Sequence, residues 1–257
     1  VNEAVFVDGP GNDLFSLNGP NASIADGVLT RTAFGFNLVI GHAFNGGVNT
    51  AILFDTPGND DVAMAPGLVN LGNAGGLYGR ARGFEVVSVR AINGGNDRVM
   101  MFDSAGNDTF TANPDVVFMQ GPGYKHDAIK FKTVTAFAST GVDVARFFDS
   151  AGNDTFTYDH NQIARLRGIG FDNNAIGFGT VIVNASNGFD VAHIVDSVGN
   201  DNFRADGITG RFSNTGFTLL VNGFDVVNLH GTRGGINRLH RLAHSYTLNT
   251  FGSWILV

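Results

Sequence analysis

The chain has 257 residues, no Cys, a formal net charge of −7 and only 15% charged residues. No Cys means no disulfides and no thiolate metal sites. An acidic chain without a basic stripe is not equipped for nucleic acid or an anionic membrane surface. No stretch has the length of a membrane-spanning helix, so membrane insertion is not expected.

The sequence begins Val1-Asn2-Glu3-Ala4-Val5-Phe6 and runs directly into a repeat, as a mature chain or an excised segment would. Residues 1–7 read as an N-terminal cap or incoming strand. Next comes Val7-Asp8-Gly9-Pro10-Gly11-Asn12-Asp13, and related phrases end at Asp60, Asp108, Asp154 and Asp201. Measured between their first Asp residues, Asp8, Asp55, Asp103, Asp149 and Asp196, the steps are 47, 48, 46 and 47 residues. Such regularity signals a repeat architecture.

Each period has inner structure. Asn49, Asp97, Asp143 and Asp190 lie 11 residues before Asp60, Asp108, Asp154 and Asp201, in Gly-containing turns. Still further upstream stand Gly35-Phe36-Asn37, Gly83-Phe84-Glu85, Gly177-Phe178-Gly179 and Gly223-Phe224-Asp225, with Lys130-Phe131-Lys132 in the third copy. The repeat therefore divides into four strand-plus-turn segments. Gly supplies positive φ at the turns, and Asn or Asp caps the turn amides.

Alternation with period two supports strands. Leu53, Met101, Phe147 and Ile194 form one apolar column, with Ala51, Val99, Ala145 and Ala192 on the same face. Phe15, Val62, Phe110, Phe156 and Phe203 form another. The fold class is all-β: a parallel β-solenoid (β-helix) with about two coils of ~23–24 residues per repeat, the alternative being a five-bladed β-propeller. The whole of 1–257 reads as one elongated repeat domain. Residues 238–257 form a degenerate C-terminal repeat or cap that ends in the apolar Phe251-Gly252-Ser253-Trp254-Ile255-Leu256-Val257.

Phe-Asp-Ser-Ala-Gly-Asn-Asp-Thr-Phe, at 102–110 and again at 148–156, resembles the Asp-Ser-x-Gly-Asn-Asp-Thr-Phe arrays of large bacterial surface and secreted proteins. The resemblance covers most of residues 5–240. It implies an extracellular or cell-surface bacterial β-solenoid and no particular reaction. A weaker likeness is to the RTX calcium-binding β-roll. Here the spacing is 11–12 residues instead of nine, and the Gly-Gly-x-Gly-x-Asp string is absent.

Three groups of residues carry possible chemistry. The paired Asp of the repeated phrase, Asp103 with Asp108 and Asp149 with Asp154, offer hard oxygen ligands for Ca²⁺, or else cap their own turns. No cofactor is otherwise required. Arg90, Arg146 and His193, on one solenoid face, would neutralise a uronate carboxylate and remove its C5 proton, as in a polysaccharide lyase or epimerase. His42, His230 and the run Tyr124, Lys125, His126, which departs from the repeat, would bind glycan. The leading expectation is an extracellular structural or adhesive segment (spacer, stalk or self-associating fibre) whose partners are its own copies or a cell-surface polysaccharide.

Overall fold

A computed structural model describes residues 2–257. The chain is all-β and winds as a parallel β-solenoid of about seven turns, with about 36 residues per turn. Strand β1 (Glu3–Val7) precedes β2 (Leu14–Asn18), β3 (Asn21–Ala25), β4 (Thr30–Phe34), β5 (Leu38–His42) and β6 (Thr50–Phe54). The second repeat supplies β7 (Asp60–Ala65), β8 (Leu68–Asn73), β9 (Gly76–Arg82), β10 (Val86–Arg90) and β11 (Arg98–Phe102). The third supplies β12 (Thr109–Ala112), β13 (Val116–Gly121), β14 (Tyr124–Ile129), β15 (Thr133–Phe137) and β16 (Val144–Phe148). The fourth gives β17 (Thr155–Tyr158), β18 (Ile163–Gly168), β19 (Phe171–Ile176), β20 (Thr180–Asn184) and β21 (Val191–Val195). The last gives β22 (Asn202–Gly207), β23 (Thr209–Ser213), β24 (Thr218–Asn222), β25 (Val226–Gly231), β26 (Arg238–His244), β27 (Thr247–Gly252) and β28 (Ile255–Leu256).

Contacts group these strands into two compact units: residues up to Gly106 with Asp115–Ala136, and Asn107–Pro114 with Phe137–Val257. Each unit has two sheets. In the first, sheet I runs β1-β5-β9-β8-β7-β11-β15 and sheet II runs β4-β3-β2-β6-β10-β14-β13. In the second, sheet I runs β19-β18-β17-β21-β25-β27 and sheet II runs β12-β16-β20-β24-β23-β22-β26-β28.

The coil is longer than the 23–24 residues expected from the sequence, and the reason is a strand that the turn pattern concealed. Each of the first four repeats has five strands and the last has seven, and the first three strands of each are consecutive in one sheet. In β2-β3-β4, β7-β8-β9, β17-β18-β19 and β22-β23-β24 these three pair antiparallel as a meander. A meander consumes residues without crossing to the opposite sheet. Parallel neighbours are therefore about 36 residues apart: Leu14 pairs with Thr50, Thr50 with Val86, and Val144 with Thr180. Up to β26, parallel stacked strands differ by four in chain order, whereas the repeat advances by five; only the terminal pairs β25–β27 and β26–β28 differ by two. Successive copies of any repeat position consequently fall on alternate sheets.

The core lies between the sheets, where the inward residues of each strand meet. Both predicted columns are inside: Leu53, Met101, Phe147 and Ile194, and Phe15, Val62, Phe110, Phe156 and Phe203, are at most 2% exposed. In the first unit Phe15 packs between Phe6 and Phe84, with ring centroids 5.9 and 5.7 Å away. In the second, Phe147 meets Phe110 at 6.0 Å and Phe156 at 6.2 Å, both edge-on. Buried rings of this size each contribute roughly 1.5–3 kcal/mol by leaving water.

Candidate functional site

The repeated Asp-x-x-Gly-Asn-Asp phrase forms corners where the chain crosses from one sheet to the other. A crossing interrupts the strand ladder and strands its amides, which need other acceptors. Side chains one turn away supply them. Asn12, Asn59, Asn107, Asn153 and Asn200 accept through Oδ1 from the amides of Val48, Asn96, Val142, Phe189 and Ile236, at 2.7–2.9 Å. In the other direction, the amides of Asp13, Asp60, Asp108 and Asp154 donate to Oδ1 of Asn49, Asp97, Asp143 and Asp190, at 2.8–2.9 Å. Asp201 donates to Asn237 at 3.3 Å.

Glycine serves the same stacking. Gly188, at φ 125°, lies so close to the Gly152 carbonyl of the neighbouring turn that a Cβ would collide with it. Gly47, Gly95 and Gly235 meet Gly11, Gly58 and Gly199 in the same way.

The first Asp of four phrases, Asp8, Asp55, Asp149 and Asp196, is also engaged across the turns. Asp55 accepts from the amides of Ile92 and Asn93, and Asp196 from those of Thr232 and Arg233. Asp149 binds the Ser186 amide at 2.8 Å and its hydroxyl at 2.7 Å. Asp154 accepts from the Ser150 amide and hydroxyl. The capping role anticipated for these residues is thus realised between turns as well as within one.

Three carboxylates converge where the side chain that accepts from the phrase's last Asp amide is itself an Asp, as at Asp97 and Asp190. Asp149, Asp154 and Asp190 offer oxygens that all lie within 4.8 Å of one another, and Asp55, Asp60 and Asp97 do the same in the first unit. Asp154 is 1% exposed and Asp190 is fully buried. Burial is the main cause that raises both carboxyls above the ordinary range, and neighbouring Asp residues add to it. Asp190 is pushed up to about 6, although the Asp154 amide opposes the shift. Asp103 is half-buried at the end of β11, and Asp108 is buried with its amide on Asp143.

The residues proposed for uronate chemistry are not collected on one face. Arg146 lies on β16 in sheet II, in register with Thr111 and Ile182. His193 lies on β21 in sheet I, in register with Thr157 and Asn228. Arg90 sits on sheet II of the first unit, its guanidinium 5.5 Å from the Phe54 ring centre. Alternation of the repeat between sheets separates positions that a simple column would have aligned. His42 follows the same rule: it falls on sheet I, beside Phe44 at 5.3 Å.

The Tyr124-Lys125-His126 run is not a break in the repeat. Pro122-Gly123 is a hairpin between β13 and β14, comparable to Ile169-Gly170 between β18 and β19. Alternation then turns Tyr124 and His126 into the core, 6% and 1% exposed, and leaves Lys125 outside near Phe118. His126 packs on Tyr124 at 5.0 Å, and its Nε2 has no hydrogen-bond partner among the described residues. Burial lowers its pKa to about 4. Neither buried ring is presented to a glycan.

A ladder that sequence reading missed occupies sheet I of the second unit. His193 stacks on His230 at 6.1 Å, and His230 on Phe251 at 4.8 Å with ring planes 11° apart. Asn249 Nδ2 donates to Asn228 Oδ1 beside it, at 3.0 Å. His230 and Phe251 are 21 residues apart, off the 47-residue period, so only the pairing of β25 with β27 reveals their contact.

No protein-family model matches this chain. Searches of curated proteins and of solved structures likewise give no match.

Proposed function

We propose that the chain is a structural repeat segment of an extracellular or cell-surface bacterial protein, serving as a spacer or adhesive stalk. The observation that supports this reading is the clasp at the corners. The residue types most often available for chemistry here, Asn and Asp, are engaged in joining each turn to the next. A side chain that satisfies a stranded amide contributes cohesion, and its repetition distributes that cohesion along the solenoid.

Glycan contact is the second reading, supported by the His193–His230–Phe251 ladder. Half-exposed rings beside amide side chains suit a sugar's apolar faces and hydroxyls. Ca²⁺ would act as a structural ion in either reading, with no step of chemistry routed through it.

The test combines turnover with association. Alginate, pectate, ulvan and glycosaminoglycans are incubated with the chain, and unsaturated product is followed by ultraviolet absorbance. The structural reading expects none. Product formation that disappears in R146A or H193A would overturn it in favour of a lyase. Light scattering and electron microscopy then read self-association, and a glycan array reads surface ligands. A strictly monomeric chain that binds no array glycan would remove the adhesive reading.

A further inference from the structure

The fourth and fifth copies of the corner provide a comparison within one compact unit. In the fifth copy, Asn202 pairs with Ser213, which sets Asp201 opposite Asn214. Asn214 Nδ2 donates to Asp201 Oδ1 at 3.2 Å. Asn237 Nδ2 donates to Asp196 Oδ2 at 3.0 Å. Two amide groups thus supply positive hydrogen to two carboxylates.

Both donors are replaced in the fourth copy. Thr155 pairs with Arg167, which sets Asp154 opposite Gly168 instead of an Asn. The place of Asn237 is taken by Asp190, a third carboxylate. The consequence is visible atom by atom. Asp154 Oδ1 and Asp190 Oδ2 are buried without a hydrogen-bond partner among the described residues, although each residue's other oxygen is engaged. The half-buried Asp149 completes the cluster.

Three carboxylates this close repel one another, and two buried oxygens lacking donors lose their hydration uncompensated. We propose that Asp149, Asp154 and Asp190 bind one Ca²⁺ ion, which takes the place of the two amide donors present in the fifth copy. An all-oxygen set without His or Cys selects a hard cation, and flexible coordination completed by carbonyls and water favours Ca²⁺ over Mg²⁺. The ion would lock two successive turns at the same corner that the Asp154–Asp190 hydrogen bond already joins. This inference does not depend on the structural or adhesive reading.

The experiment uses the full chain at pH 7.5, stripped with EDTA and then titrated with Ca²⁺ or Mg²⁺. Calorimetry gives stoichiometry, and thermal melting gives the shift. The wild type is expected to take up Ca²⁺ and to melt several degrees higher with millimolar Ca²⁺ than in EDTA, with a smaller Mg²⁺ response. D190N, which restores the Asn of the fifth copy, should lower the stoichiometry by one ion and melt in EDTA no lower than the wild type. D149N, altered at a half-buried ligand, should lose the same ion and serves if D190N does not fold. Equal melting in Ca²⁺ and EDTA would overturn the proposal. So would unchanged stoichiometry in both variants. A corner stabilised by acid that takes up no Ca²⁺ holds a shared proton, and that result also excludes the ion.

Discussion

The Asp154 amide donates to Asp190 Oδ1 at 2.8 Å across 36 residues of sequence. One turn of the solenoid separates these residues, so this contact reports directly on inter-turn cohesion. The Asn153 Oδ1 bond to the Phe189 amide, also 2.8 Å, runs beside it. Asn153→Ala leaves the Phe189 amide to solvent at an exposed corner. The expected loss is about 1 kcal/mol, read from the midpoint of urea unfolding with an unchanged slope.

Two glycines with positive φ separate backbone conformation from packing. Gly170, at φ 85°, has open space around it, while Gly188, at φ 125°, abuts the Gly152 carbonyl. Gly170→Ala should cost about 1 kcal/mol, the ordinary penalty of a left-handed Ala. Gly188→Ala must also push two turns apart, and should cost at least about twice as much. Equal losses in the two variants, measured by chemical denaturation, would mean that close stacking at this corner is unimportant.

Burial of His126 makes stability depend on pH. Its folded pKa is about 4 against 6.5 in the unfolded chain. Between these values the unfolded chain binds a proton that the folded chain refuses, so stability falls as pH falls from 6.5 towards 4. In full the effect is about 3 kcal/mol. Asp190 slopes the opposite way, because its raised pKa makes the folded chain the better proton acceptor between 3.8 and about 6. The difference between wild type and His126→Phe, both in EDTA, isolates the histidine. His126→Phe keeps a ring against Tyr124, and should flatten the acid side of the stability profile.

Phe156 tests how far the core resembles that of an ordinary globular protein. It is fully buried, 6.2 Å from both Phe147 and Phe224. Phe156→Ala should cost about 3–5 kcal/mol in equilibrium unfolding, the usual price of an aromatic cavity. A loss below about 1 kcal/mol would mean that the neighbouring turns collapse into the space.

The sequence carried the strands and corners legibly because both rest on local chemistry. Alternation placed Phe110, Phe147 and Phe156 inside, and the Gly, Asn and Asp residues marked the crossings. What it hid was whether a given turn crosses between sheets or folds back within one. Pro122-Gly123 and Gly141-Val142 both read as turns, yet the first closes a hairpin and the second lies in a crossing. Only non-local pairing separates them. That one ambiguity shortened the expected coil, gathered Arg146 and His193 onto one imagined face, and made Tyr124 and His126 look exceptional. The acidic corners were legible in part: Asp149 and Asp154 announce themselves, whereas Asp190 joins them from the next turn.

Five strands per repeat against four per turn gives the solenoid a parity. Adding or deleting one copy exchanges the sheet to which every later strand belongs, while two copies restore it. Recombination between repeats would therefore change which face carries a downstream feature such as the His193–His230–Phe251 ladder, without altering a residue of that feature. An even number of copies gained or lost preserves its facing, and an odd number reverses it.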